Sequence, residues 1–114
     1  MNAPQIQQLS ADVCVDPQLA PEAMAWAAQA GFKSVVNNRP DFEGGPDQPT
    51  NAAIEAAALA AGLRYAFLPV NPAVQTPEEI ARFAELLAEL PKPILAFCRS
   101  GTRSGKLFRA ATGG

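Results

Sequence analysis

Ile94-Leu95-Ala96-Phe97-Cys98-Arg99-Ser100-Gly101-Thr102-Arg103-Ser104 is the stretch that decides the fold. Four apolar residues stand between Pro93 and Cys98 without polar alternation, as in a strand buried on both faces. A polar, Gly-containing loop follows, and then Lys106-Leu107-Phe108-Arg109-Ala110-Ala111, which predicts a short helix. In a strand–loop–helix unit the loop amides turn inward as a nest for an anion, and the helix N-terminus adds partial positive charge. Gly101 permits backbone angles that other residues resist. Arg103 brings a planar guanidinium able to bind an oxyanion at two points. The same field favours thiolate over thiol, which makes Cys98 the candidate nucleophile. Arg99, Ser100, Gly101, Thr102 and Ser104 complete the expected anion site. Ser104 is placed either to hydrogen-bond the sulfur or to cap the helix.

Working outward, Lys33-Ser34-Val35-Val36-Asn37 and Arg64-Tyr65-Ala66-Phe67-Leu68 read as two further strands, and an earlier one falls within residues 6–15. Helical patterns separate them. One starts at Pro21-Glu22 and ends at Gly31. A second starts at Pro49-Thr50-Asn51 and stops at Gly62. A third opens on Thr76-Pro77-Glu78-Glu79, a capping box with Pro at the first helical position, and ends at Pro91. Strands alternating with helices predict an α/β fold, a small parallel sheet of about four strands flanked by helices. Residues 1–114 are read as a single domain whose C-terminal helix is cut short at Thr112-Gly113-Gly114. Ligands of open parallel sheets bind beyond the carboxyl ends of the strands. Asn37-Asn38-Arg39-Pro40-Asp41, Pro69-Val70-Asn71-Pro72 and the Cys98 loop all fall there. Residues 39–49, rich in Gly, Pro and Asp, read as a loop able to cover the site.

The formal net charge is −2, which counts against nucleic acid as a partner. All eleven acidic residues precede Pro91, whereas Lys92, Arg99, Arg103, Lys106 and Arg109 follow it. That asymmetry fits a local anion site. There is no histidine, which removes Cys–His and Ser–His dyads and most zinc sites; no metal or cofactor is expected. Activation of Cys98 must come from backbone, helix end and arginine. Cys14, between Val13 and Val15, reads as a core residue. No apolar run reaches membrane-spanning length, and Met1-Asn2-Ala3-Pro4-Gln5 is not the start of a signal peptide, so a cytoplasmic protein is expected.

Cys98-Arg99-Ser100-Gly101-Thr102-Arg103-Ser104 resembles the active loop of the beta-lactamase hydrolase-like protein, phosphatase-like domain family. Gly31-Phe32-Lys33-Ser34-Val35-Val36-Asn37-Asn38-Arg39-Pro40-Asp41, Ala61-Gly62-Leu63-Arg64-Tyr65 and Leu68-Pro69-Val70 are similar to the same family's pattern. The resemblance covers nearly all of the chain from about Ile6. It implies a fold similar to the dual-specificity protein phosphatases. It also implies activities described both as phosphatase-like and as sulfur transfer, and a link to metallo-beta-lactamase-like sulfur dioxygenases as partners.

Two departures from the phosphatase pattern stand out. Cysteine phosphatases usually show Cys-x5-Arg; here Arg103 comes at Cys-x4-Arg, with Ser104 at the usual arginine position. The shorter loop is closer to that of rhodanese-type sulfurtransferases, in which an arginine directly after the cysteine, like Arg99, is also familiar. The loop that in dual-specificity phosphatases carries a general-acid Asp reads Pro69-Val70-Asn71-Pro72-Ala73-Val74-Gln75, with no acid. Asp41, Glu43 or Asp47 would have to substitute, and Asp41 is taken as the catalytic candidate beside Cys98 and Arg103, with Arg39 as a further anion ligand. Sulfur transfer through a Cys98 persulfide is therefore ranked first, using a sulfane sulfur donor. The alternative is hydrolysis of a phosphate ester through a Cys98 thiophosphate, and a non-catalytic anion-binding role comes third.

Overall fold

The computed structural model describes residues 6–113, so the reading of the first five residues lies outside the described residues. The first strand segment splits in two. β1 (Gln7–Gln8) pairs antiparallel with β2 (Val13–Asp16). The turn between them is held by Ser10, whose hydroxyl oxygen accepts the N–H groups of Asp12 and Val13 at 3.2 and 3.1 Å. Two residues are too few to show a period, which is why the sequence suggested about four strands where five form. Then follow α1 (Ala23–Gln29), β3 (Ser34–Asn37), α2 (Asn51–Ala60), β4 (Arg64–Phe67), α3 (Pro77–Glu89), β5 (Ile94–Phe97) and α4 (Thr102–Thr112).

The sheet order is β1-β2-β5-β3-β4, and every pairing except β1–β2 is parallel. β5 and β3 are central and wholly buried, which accounts for the unbroken apolar run of β5 and the paired valines of β3. Successive side chains leave opposite faces. Val35, Leu95 and Phe97 pack with Met24, Ile54 and Ala58 of α1 and α2. Val36, Ile94 and Ala96 pack with Phe83, Leu86 and Leu107 of α3 and α4. Cys14 packs half-buried against the first of these cores, and burial pushes its thiol up.

The helix boundaries follow their sequence signals. Thr76 and Glu79 exchange both bonds of the capping box, at 3.1 and 2.9 Å, and Thr50 caps α2 by accepting from Ala53 N–H. α4 departs from expectation. It begins at Thr102, inside the predicted anion loop, and so places Arg103, Ser104 and Lys106 on helix. Among the described residues, no helix is long and apolar enough to cross a membrane.

Register fixes where the site must lie. Asp16, Phe97 and Asn37 are Cα partners across three strands, and Asn37 is in turn level with Phe67. All four parallel strands therefore end in one row, and Pro17, Cys98, Asn38 and Leu68 emerge together at that edge. Backbone bonds carry the row one step further: Cys98 N–H to Asp16 O, Asn38 N–H to Phe97 O, and Val70 N–H to Asn38 O.

Candidate active site

Cys98 leaves β5 and the chain turns at Gly101, whose φ of 89° is left-handed, before α4 starts. This turn aims the Gly101 N–H at the Cys98 Sγ, 3.1 Å away. A negatively charged sulfur is the natural acceptor of such a bond. Cys98 is 1% exposed and does not itself line the adjoining surface; its loop neighbours Arg99, Ser100 and Thr102 line a cavity of about 610 Å³. Arg103, Lys106 and Arg39 join that wall, with Glu43 facing them. Four cationic side chains thus meet a single carboxylate.

Arg103 is buried and held by the sheet edge it faces. Its Nη1 donates to Val70 O at 3.1 Å and to Asn38 O at 3.5 Å, and its Nη2 donates to Glu43 Oε1 at 3.0 Å. Its Nε is buried and has no hydrogen-bond partner among the described residues. Buried guanidinium N–H groups are rarely left unpaired, so this donor marks a place for an acceptor. Arg39 reaches the same carboxylate oxygen with Nε at 2.9 Å and donates Nη1 to Gln18 Oε1 at 3.1 Å. Burial pushes the Glu43 carboxyl up, but the hydrogen bonds and charges of Arg103 and Arg39 outweigh it and hold Glu43 below its ordinary value.

Of the residues singled out from the sequence, Arg99, Ser100, Thr102, Arg103 and Arg39 line one cavity, while Cys98 and the loop hinge Gly101 are buried beneath it. Two assignments change. Ser104 neither caps α4, whose N-cap is Gly101, nor spends its hydroxyl on the sulfur; its Oγ donates to Asn38 Oδ1 at 2.8 Å, and the residue is fully buried. α4 starts one turn earlier than predicted, which rotates Ser104 toward the β3 edge. Asp41 is absent from the cavity wall. Its Oδ1 accepts Asn51 N–H at 2.7 Å, at the start of α2, where a carboxylate satisfies an orphan amide and the helix dipole. Glu43 takes the place beside Arg103 instead. Phe42 between them has a φ of 64°, a reversal uncommon for a bulky residue, and the two carboxylates diverge across it.

Several supporting residues carried no sequence signal. Gln48 folds the loop by donating to Pro40 O at 2.9 Å and accepting Gly44 N–H at 2.7 Å. A Cβ at Gly44 would fall 2.6 Å from Arg39 Nη2, so a larger residue there would push that guanidinium aside. Asn38 is fully buried and donates Nδ2 to Leu68 O, and Gln75 donates to Arg103 O. A run of polar residues just beyond a buried strand was the available hint. Among the described residues, no group of three His, Cys, Asp or Glu side chains gathers to hold a metal ion.

A central parallel sheet, a cysteine at the end of its middle strand and an arginine on the helix that follows define a phosphatase-like α/β fold of the cysteine type. Residues 5–114 match the family described as Beta-lactamase hydrolase-like protein, phosphatase-like domain, and the chain belongs to that family. A beta-lactamase hydrolase-like protein of Agrobacterium fabrum is 44% identical over 78 residues, covering 68% of this chain and 18% of that protein. The chain thus spans under a fifth of that relative's length. The crystal structure of a candidate phosphatase from Neisseria meningitidis superposes with a TM-score of 0.82 at 31% identity, over 89% of this chain and 71% of that one. The core catalytic domain of a PP-IP phosphatase from S. cerevisiae, crystallised with citrate, has a TM-score of 0.68 at 14% identity, over 90% of this chain and 60% of that one. At that identity the likeness shows the fold alone.

Proposed function

We propose that the chain is a Cys98-dependent hydrolase of phosphate esters. This reverses the order suggested by loop length, because the matched family and the fold both lie on the phosphatase side. The observation that carries the reading is the Gly101 N–H on the Cys98 sulfur, in a loop whose other residues line a cationic cavity together with Arg103. The substrate phosphoryl group binds Arg103 and the loop. The Cys98 thiolate attacks phosphorus, forming the S–P bond as the P–O bond to the leaving group breaks. Arg103 and the loop hold the charge on the oxygens as they redistribute. Glu43 supplies the leaving oxygen with its proton. Glu43 is ionised in the empty site, but a phosphate dianion taking up Arg103 adds like charge and removes a hydrogen bond, and both effects raise the carboxyl. In the second step Glu43 takes a proton from water as the water attacks the thiophosphate, releasing phosphate and the thiolate.

The test is phosphate release from a panel of monoesters by the protein and by Cys98→Ser. Release that survives in the Ser variant would sink the reading, as would no release from any ester. The four-residue spacing between Cys98 and Arg103 favours a second reading. There the thiolate attacks the outer sulfur of thiosulfate, sulfite leaves, and cyanide takes the sulfur from the Cys98 persulfide as thiocyanate. Thiocyanate formed from thiosulfate and cyanide, without phosphate release from esters, would replace the first reading by the second. Only in that case does a sulfur dioxygenase partner gain a role.

A further inference from the structure

We propose that the cavity holds a second anion subsite, formed by Arg99 and Lys106, and that the substrate is a small non-aromatic molecule carrying two phosphate groups. This rests on the hydrolase reading for what happens at the first phosphate, but the binding part stands independently of it.

The cationic side chains of the cavity fall into two pairs. Arg39 and Arg103 share the Glu43 carboxylate, with N–O distances of 2.9 and 3.0 Å. Arg99 and Lys106 make no ion pair or side-chain hydrogen bond among the described residues. Both are exposed and both line the cavity. Arg99 directly follows the nucleophile. Lys106 lies one turn along α4 from Thr102 and Arg103, and so on the same helix face. The two unpaired cations thus form the exposed part of a wall whose inner end is the buried Arg103.

Size and wall chemistry narrow the occupant. About 610 Å³ is ample for a small-molecule ligand and far more than one tetrahedral anion fills. Among the described residues, no aromatic ring lines the cavity, and Pro72 is its one apolar side chain of any size. An aryl ester would find no ring to stack on, whereas a hydroxylated scaffold suits walls of glycine, serine and threonine. The buried Arg103 Nε without a partner is an independent sign that an anion belongs at the inner end. With the inner phosphate on Arg103, the two remaining positive charges are left for an outer one.

The experiment compares fructose 1,6-bisphosphate with fructose 6-phosphate, and both with phosphotyrosine. Binding is measured by calorimetry on Cys98→Ser, and hydrolysis on the unaltered protein. The bisphosphate is expected to bind at least about tenfold tighter than the monophosphate, the effect of one charge-assisted hydrogen bond. Lys106→Glu and Arg99→Ala should each shrink that ratio toward one; both residues are exposed, so neither change disturbs the core. Equal binding of the two sugars, or a ratio untouched by Lys106→Glu, overturns the proposal. So does phosphotyrosine binding more tightly than the bisphosphate. If the bisphosphate binds in a Lys106-dependent way but no ester is hydrolysed, the subsite stands and the hydrolase reading falls.

Discussion

Replacing Glu43 by Gln removes one negative charge from between two guanidinium groups and leaves the side-chain volume nearly unchanged. Both Arg39 Nε and Arg103 Nη2 bind the same oxygen, Oε1. An oxyanion approaching Arg103 has to displace that carboxylate. A hydrogen bond to a charged group contributes about 1.5–3 kcal/mol. The Glu43 side chain is 20% exposed and partly screened, so the lower end applies. About 1.5 kcal/mol corresponds to about tenfold in affinity. Glu43→Gln should therefore bind inorganic phosphate about tenfold more tightly, read as competitive product inhibition or by calorimetry. Turnover should move the other way, with kcat falling about 100-fold as the proton donor is lost. The effect on kcat should be smallest for substrates whose leaving group needs no proton. Tighter phosphate together with slower turnover is a combination that a general loss of structure does not produce. If phosphate binds no better and kcat is unchanged, Glu43 is neither the competitor nor the acid, and the mechanism is wrong. Stability supplies a further sign. Because Glu43 is held below its ordinary value near 4.3, its stabilising contribution is complete above that pH and is lost as pH falls through the folded value. The Tm difference between Glu43→Gln and the unaltered protein should thus be present at neutral pH and vanish in acid.

Gly101→Ala should destabilise by about 1–2 kcal/mol, because a left-handed residue acquires a Cβ. The Cβ itself would meet Asp16 backbone at an ordinary 3.5 Å, so denaturant midpoints unchanged from the parent would show that the turn is not left-handed. Ser104→Ala removes the donor from the buried Asn38 Oδ1 and should cost about 1–3 kcal/mol in urea unfolding. A variant as stable as the parent would mean that the Asn38 side chain finds another partner. Tyr65, the single tyrosine, is pushed up to about 12, first by burial and then by the charges of Glu55 and Asp41, against the lowering effect of the Asn37 hydrogen bond. Its phenolate absorbance should appear well above pH 10 in the folded protein. The stability that the neutral phenol provides should be complete below about pH 10 and decline as pH rises toward 12, and Tyr65→Phe should remove that decline. A folded protein titrating near 10 would contradict the burial of Tyr65 between Asn37 and Asn51.

Reading the chain locally was enough wherever the signal was local. The run Ile94-Leu95-Ala96-Phe97 and the loop after it pointed to a buried strand, a candidate nucleophile and a candidate anion loop, because burial on both faces and a left-handed turn each demand particular residue types. Thr76 and Glu79 announced α3 because the capping box is satisfied within four residues. Gly31 and Gly62 marked the ends of α1 and α2 for the same reason. The two-residue β1 escaped because two residues cannot repeat a pattern, and the early start of α4 because its first turn, Thr102-Arg103-Ser104-Gly105, carries no apolar residue.

The covering loop was beyond sequence reasoning. It has no periodicity, so composition offered Asp41, Glu43 and Asp47, and the choice of Asp41 among them rested on no contact. What separates them is tertiary: the reversal at Phe42, the bracing by Gln48, and the passage of the Arg39 guanidinium across Gly44. Together these send Asp41 to the first turn of α2 and Glu43 to Arg103. Ser104 likewise turned from the sulfur to Asn38 because helix phase and strand register meet there. Residue order alone placed Cys98 at the end of a buried strand and before a glycine turn, because strand, turn and helix signals are read over a few neighbours. Which acid meets Arg103 came only from folding, because that pairing joins residues 60 positions apart.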